Sequence, residues 1–207
     1  MVKRGRVLAA LGWFALVIPS AGAAQVPGGG AGTGVARATV EVPGGLGTLR
    51  QDEITVSLRS GALLVKVTPL AEEVIRLAAP DTYRRLHELV ERRKAEVAER
   101  AGVAAPQLFL VSFFSYEPDV SFQPEDLQLS YQGRLLRPLA IVPVTPGWGK
   151  QRLQQQETQL ALYAFSPELV LDQPFVVRYG FEQSDQWTRI LPRLEVERTR
   201  VLSRAGR

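Results

Sequence analysis

Few residues of this 207-residue chain have the types and spacing that chemistry needs. His87 is the sole histidine and there is no cysteine. A zinc centre draws three or four ligands from His, Cys and carboxylates, so no zinc is expected. Disulfides and a Cys nucleophile are excluded outright. A Ser–His–acid triad could use only His87, which lies beside Leu86 in a charged helical pattern, and no Gly-x-Ser-x-Gly elbow occurs. A Ser–Lys pair could draw on Lys66, Lys94 or Lys150, yet no Ser-x-x-Lys spacing is present. Glu117, Asp119, Glu125 and Asp126 share one strand connection and offer the hard oxygens that calcium prefers. They lack EF-hand order, and Pro118 and Pro124 interrupt them, so a solvated loop is expected there. Paired carboxylates for glycoside cleavage are set by distance in space, which spacing along the chain does not give.

Gly147-Trp148-Gly149-Lys150 ends like a phosphate-binding loop. Val144 stands where the first glycine belongs and Gln151 replaces the Ser or Thr, so the backbone cradle is missing. The glycines from Gly28 to Gly34 precede no helix. No cofactor is expected. What does stand out is a tryptophan in a Pro/Gly turn, Pro143 to Lys150. Tryptophan concentrates binding energy at interfaces, which makes Trp148, with Lys150 beside it, a candidate contact. Trp187, in Ser184-Asp185-Gln186-Trp187, is a second. The competing reading for both is a buried core indole, the commoner state of the residue.

These groups must be positioned by a chain whose N-terminus reads as an address. Lys3, Arg4 and Arg6 precede twelve apolar residues, Val7 to Ile18, and Ala21 and Ala23 are small residues placed for cleavage before Ala24. That is the pattern of a secretory signal peptide, residues 1–23. The apolar run is shorter than the roughly 20 residues of a spanning helix, so no membrane span is expected after cleavage, and the product is expected in the periplasm or secreted. Removing the three basic residues leaves 22 basic against 21 acidic side chains, which gives no electrostatic warrant for nucleic-acid binding. Arg outnumbers Lys heavily and Asn is absent, a composition that suits a GC-rich bacterial coding sequence.

Residues 24–37 read as a flexible glycine-rich leader, and 38–207 as one domain. A short strand is expected at Ala38–Val42. Ile54, Val56 and Leu58 alternate with polar residues, Ser60-Gly61 turns the chain, and Leu63, Val65 and Val67 resume the alternation: a hairpin. A helical insert follows over about 71–101, a short helix over Glu72–Ala79 and a longer one capped by Asp81 and stopped by Gly102. Its apolar stripe is Tyr83, Leu86, Leu89, Val90 and Val97, and Arg84–Glu88, Glu88–Arg92, Arg92–Glu96 and Glu96–Arg100 line the outer face.

Strands are then expected at Leu108–Tyr116, Leu127–Tyr131, Arg134–Val142, Leu160–Phe165 and Phe175–Phe181, with Pro138 marking an edge or bulge. Trp187 to Arg204 reads as a C-terminal helix with Pro192 in its first turn. The whole predicts a mainly β fold, an immunoglobulin-like β-sandwich of about seven strands with a helical insertion. Such a scaffold with no catalytic motif suits a non-enzymatic module that binds a protein, peptide or envelope component, at an exposed edge or at Trp148, or that has a structural role. The alternative is a carbohydrate-binding domain or carbohydrate-active enzyme, with Trp148, Tyr163 and Trp187 aligned as a platform.

Overall fold

The computed structural model describes residues 41–206. The segments expected as a signal peptide (1–23) and a glycine-rich leader (24–37) lie outside the described residues, as does most of the strand expected at Ala38–Val42. Glu41 and Val42 themselves belong to no strand.

In chain order the elements are β1 (Val56–Ser60), β2 (Leu63–Pro69), α1 (Glu72–Ile75), α2 (Pro80–Ala101), β3 (Gln107–Ser115), β4 (Val120–Ser121), β5 (Leu127–Tyr131), β6 (Arg134–Leu136), β7 (Ala140–Pro143), β8 (Arg152–Leu153), β9 (Thr158–Phe165), β10 (Val176–Tyr179), β11 (Glu182–Ser184) and α3 (Gln186–Ala205). All strand pairs are antiparallel. They form a five-stranded sheet ordered β1-β2-β3-β9-β7, a four-stranded sheet ordered β11-β10-β5-β6, and the small pair β4-β8. The fold is therefore mixed, with helix and strand in about equal share, and not mainly β. No immunoglobulin strand order is seen among the described residues: two long helices and open sheets take its place.

Aromatic side chains from the two larger sheets meet in the core. Phe113 on β3 stacks on Phe122 at 4.6 Å between centroids and meets Tyr179 of β10 at 5.4 Å. Phe109 meets Phe175 edge-on at 6.0 Å, and Phe175 stacks on Trp187 of α3 at 5.0 Å. Tyr163 is wholly buried on β9, and its hydroxyl donates to the Pro124 carbonyl at 2.9 Å, so its polar end is satisfied inside the core. Burial pushes that phenol well above its ordinary range.

The opposite face of the five-stranded sheet is only half covered. α2 packs over β7 and β9, burying Leu86 and Val97. The Pro80 ring at the first helical position starts this helix, and Gly102, at φ 67°, ends it. Asp81 lies inside the first turn and bonds Arg84, so the expected Asp81 cap is not made. Of the four expected outer pairs, Glu88–Arg92 and Glu96–Arg100 form, while Arg84 turns to Asp81 and the remaining link to Glu96 comes from Arg93.

Three further differences follow from single residues. The stretch expected as one strand over Arg134–Val142 is two, because Pro138 has no N–H to continue a ladder; β6 ends the four-stranded sheet and β7 the five-stranded one. Gly180, at φ 56°, turns β10 into β11, leaving Phe181 fully exposed at the tip. α3 starts before Trp187, so Pro192 lies inside the helix and not in its first turn.

Residues 42–49 strap across the helices. Leu49 bridges Ala78, and a Cβ on Gly47 would overlap the Leu77 carbonyl, so only glycine lets the strap lie this close. The strap is tied to α3 by Glu197, whose side chain is buried. Its Oε1 accepts from the Thr48 amide at 3.0 Å, the Thr48 hydroxyl at 2.9 Å and Arg204 at 3.1 Å.

Candidate functional site

The residues singled out in the sequence are placed as follows. Trp148 is buried, edge-on to Phe122 at 5.2 Å, to Phe113 at 5.8 Å and to Tyr163 at 6.4 Å. Trp187 is wholly buried, and its indole N–H donates to the Leu171 carbonyl at 3.1 Å. Both indoles are core residues, packed against other buried aromatic side chains. With Tyr163 also buried, the three aromatics form no platform for a sugar ring. Lys150 is exposed at the end of a 3-10 turn, Pro146–Lys150.

Asp119 is spent on an ion pair with Arg152 at 2.9 Å, and Glu117, Glu125 and Asp126 are exposed. Among the described residues no three His, Cys or carboxylate side chains gather as a metal site. His87 is not a bare surface residue. Its Nδ1 lies 2.6 Å from Glu72 of α1, and its ring stacks on Tyr83 at 5.3 Å. Burial works against the Glu72 charge, but hydrogen bonds from His87 and Arg76 outweigh it and hold the carboxyl below its ordinary range. Arg76 also donates to the Val42 carbonyl at 3.0 Å, so this cluster clamps α1, α2 and the strap together.

An open, polar concavity lies elsewhere, on the uncovered half of the outer sheet face. It has a volume of about 430 Å³, within the range of small-molecule sites, and Lys66 stands in its floor. Period-two alternation and the ladder registers build it. Ser57, Lys66, Ser112 and Leu160 form one rung across β1, β2, β3 and β9. One rung nearer α2 lie Thr68, Leu110 and Leu162, and one rung further out lie Arg59, Leu64, Phe114 and Thr158. Side chains two residues apart on one strand share a face, so all three rungs project from the same surface.

The polar groups of this trough divide into two kinds. Some are already engaged. Thr55 and Thr68 share a buried hydroxyl bond of 2.7 Å, Thr55 donates to the Gln51 carbonyl at 2.6 Å, and Gln51 accepts from Arg85 at 2.6 Å. Asp52, at the rim, pairs with Arg50 at 3.2 Å. Others are uncommitted: the Lys66 ammonium and the hydroxyls of Ser57, Ser112 and Thr158 have no hydrogen-bond or ion-pair partner among the described residues. A cation with free hydroxyls and two leucines beside it can bind an anionic group. The Ser57 amide, which faces outward from the edge strand, donates to Gln186 at 2.9 Å, so α3 fixes the near wall of the trough.

No family model matches the chain, and no curated protein or solved structure matches it. No described helix is long and apolar enough to cross a membrane. Sequence reasoning missed Ser57, Lys66 and Ser112 as a group because they come from three strands and share no local motif.

Proposed function

We propose that this chain is an exported, non-enzymatic binding module, periplasmic or secreted, that holds a cell-envelope component or a protein in the trough on its outer sheet face. The two larger sheets act as a sandwich-like scaffold, and the half of the outer face that α2 leaves bare is the working surface. The single observation that carries this reading is the Lys66 ammonium, uncommitted among the described residues, between Ser57 and Ser112 on a register-fixed sheet. A carboxylate or other anion would satisfy that cation and displace only water. The export pattern at Lys3, Arg4, Arg6 and Val7–Ile18 gives the address.

The test is a site-resolved crosslinking experiment in a bacterial host that makes the whole chain. A photo-crosslinking residue at Ser57 or Ser112 should give discrete adducts in the exported fraction. The same residue at Arg178, exposed on β10, should not. Equal labelling at all three positions, or a chain retained in the cytosol, overturns the reading.

A further inference from the structure

The geometry points to a small amphiphilic carboxylate, an acid head on a short apolar body, as the ligand of the trough. This rests on the binding-module reading and names what the same site would hold. The head is assigned by charge and valence. Lys66 carries three donor hydrogens and no carboxylate partner among the described residues, while Ser57 and Ser112 flank it in register on either side. Those groups can converge on the two oxygens of one carboxylate, which accepts about four hydrogen bonds. Arg59, on the same face one rung out, lies over the Tyr116 ring at 4.7 Å and adds positive potential. The only acid in the lining, Asp52, is at the rim and paired with Arg50, so it does not cancel the Lys66 charge.

The apolar body is assigned by the floor. Leu110 and Leu160 line the trough beside Ser112, with Thr68 and Thr158 also in the lining. A purely inorganic anion would leave this surface wet, and a polyanion would find too few donors, since the charged floor is one ammonium. A single negative charge with several methylenes satisfies both halves of the lining. The volume admits a ligand of this size with no opening of the sheet.

The experiment uses the mature chain and octanoate as the probe, followed by amide chemical shifts and calorimetry. Octanoate should perturb the amides of Ser57, Lys66 and Ser112 and saturate. Lys66→Met should weaken it by about tenfold or more, as expected when a charge-assisted contact is lost, while Lys66→Arg should retain most of the affinity. Lys66 is exposed, so neither variant should alter the fold, and unchanged melting temperatures verify that. N-acetyl-leucine carries the same two groups; binding tighter than octanoate places the acid on a peptide end, and weaker binding places it on a free acid. Octanol or octylammonium binding as well as octanoate overturns the assignment of the head. Sulfate or acetate binding as well as octanoate overturns the assignment of the apolar body. Absence of binding by either acid overturns the ligand class while leaving trough-specific crosslinking, and with it the module reading, intact.

Discussion

Glu197 gives the sharpest test of how this fold is held. Replacing it with Ala removes a buried carboxylate that accepts three hydrogen bonds, two from Thr48 and one from Arg204, and that also faces Arg200 at 3.6 Å. Its Oε2 has no hydrogen bond and is buried, so the carboxylate is supported largely through one oxygen. Breaking a buried charged network by removing one partner costs about 3–5 kcal/mol. The partners left behind set the lower half of that range here, since Arg204 and Arg200 are partly exposed and can rehydrate, while the Thr48 amide cannot do so as easily. We expect Glu197→Ala to lose about 3 kcal/mol, a fall in Tm of roughly 6–12 °C for a domain of this size. Glu197→Gln keeps an acceptor for Thr48 and loses only the charge, and should lose about 1 kcal/mol.

The same carboxyl carries a pH signature. Burial raises its pKa, but the bonds from Thr48 and Arg204 outweigh that and lower it below its unfolded value. A depressed folded pKa means the stabilisation is fully present above the unfolded pKa and is lost as pH falls through the folded one. The gap between the wild-type chain and Glu197→Gln should therefore be widest near neutrality and close in acid below the ordinary carboxylate range. Urea unfolding at a series of pH values measures both. A Glu197→Ala variant within 0.5 kcal/mol of the wild-type chain (the ordinary effect of a surface substitution, by about that much) would refute the claim that this residue ties the strap to α3.

Other outcomes follow from the same packing. Trp187→Ala removes an indole stacked on Phe175 and bonded to Leu171, and should cost about 3–5 kcal/mol in denaturant unfolding. Trp148→Ala should be destabilising by a similar amount, about 3–4 kcal/mol, so any loss of partner binding it causes should track loss of fold in circular dichroism. Gly47→Ala should cost more than Gly45→Ala: at Gly47 the new methyl meets the Leu77 carbonyl, whereas Gly45 is open and only its φ of 83° is strained, worth about 1 kcal/mol. Thermal melts rank the pair, and the reverse order would sink the close-approach argument. Phe181→Ser, at a fully exposed turn tip, should leave the Tm unchanged within about 1 °C.

Much of the scaffold was legible in the sequence because local signals were strong. The hairpin of β1 and β2, the stripe on α2 and the C-terminal helix all follow from period and stop residues. Boundaries failed where one residue governs topology: Pro138 sends the chain from one sheet to the other, and Gly180 reverses it, yet both lie inside unbroken apolar alternation. The site was nearly legible. A turn placed at Ser60-Gly61 pairs Ser57 with Leu64; the real turn is Gly61-Ala62, which pairs Ser57 with Lys66. That slip keeps every side chain on its correct face and still hides the rung. Ser112 was beyond reach, since the β2–β3 register spans the whole helical insert. Burial of Trp148 and Trp187 depends on contacts with segments distant in the chain, which alternation within one segment does not encode.

The crossover at Pro138 has a bearing on how the domain melts. Residues 134–143 belong to both large sheets, and α3 leans on β1 while its Trp187 plugs the core beside Phe175. Neither sheet can peel away without dragging a strand out of the other. Unfolding should therefore be all-or-none, with fluorescence of the interior indoles and far-ultraviolet dichroism losing their native signals along a single superimposable curve.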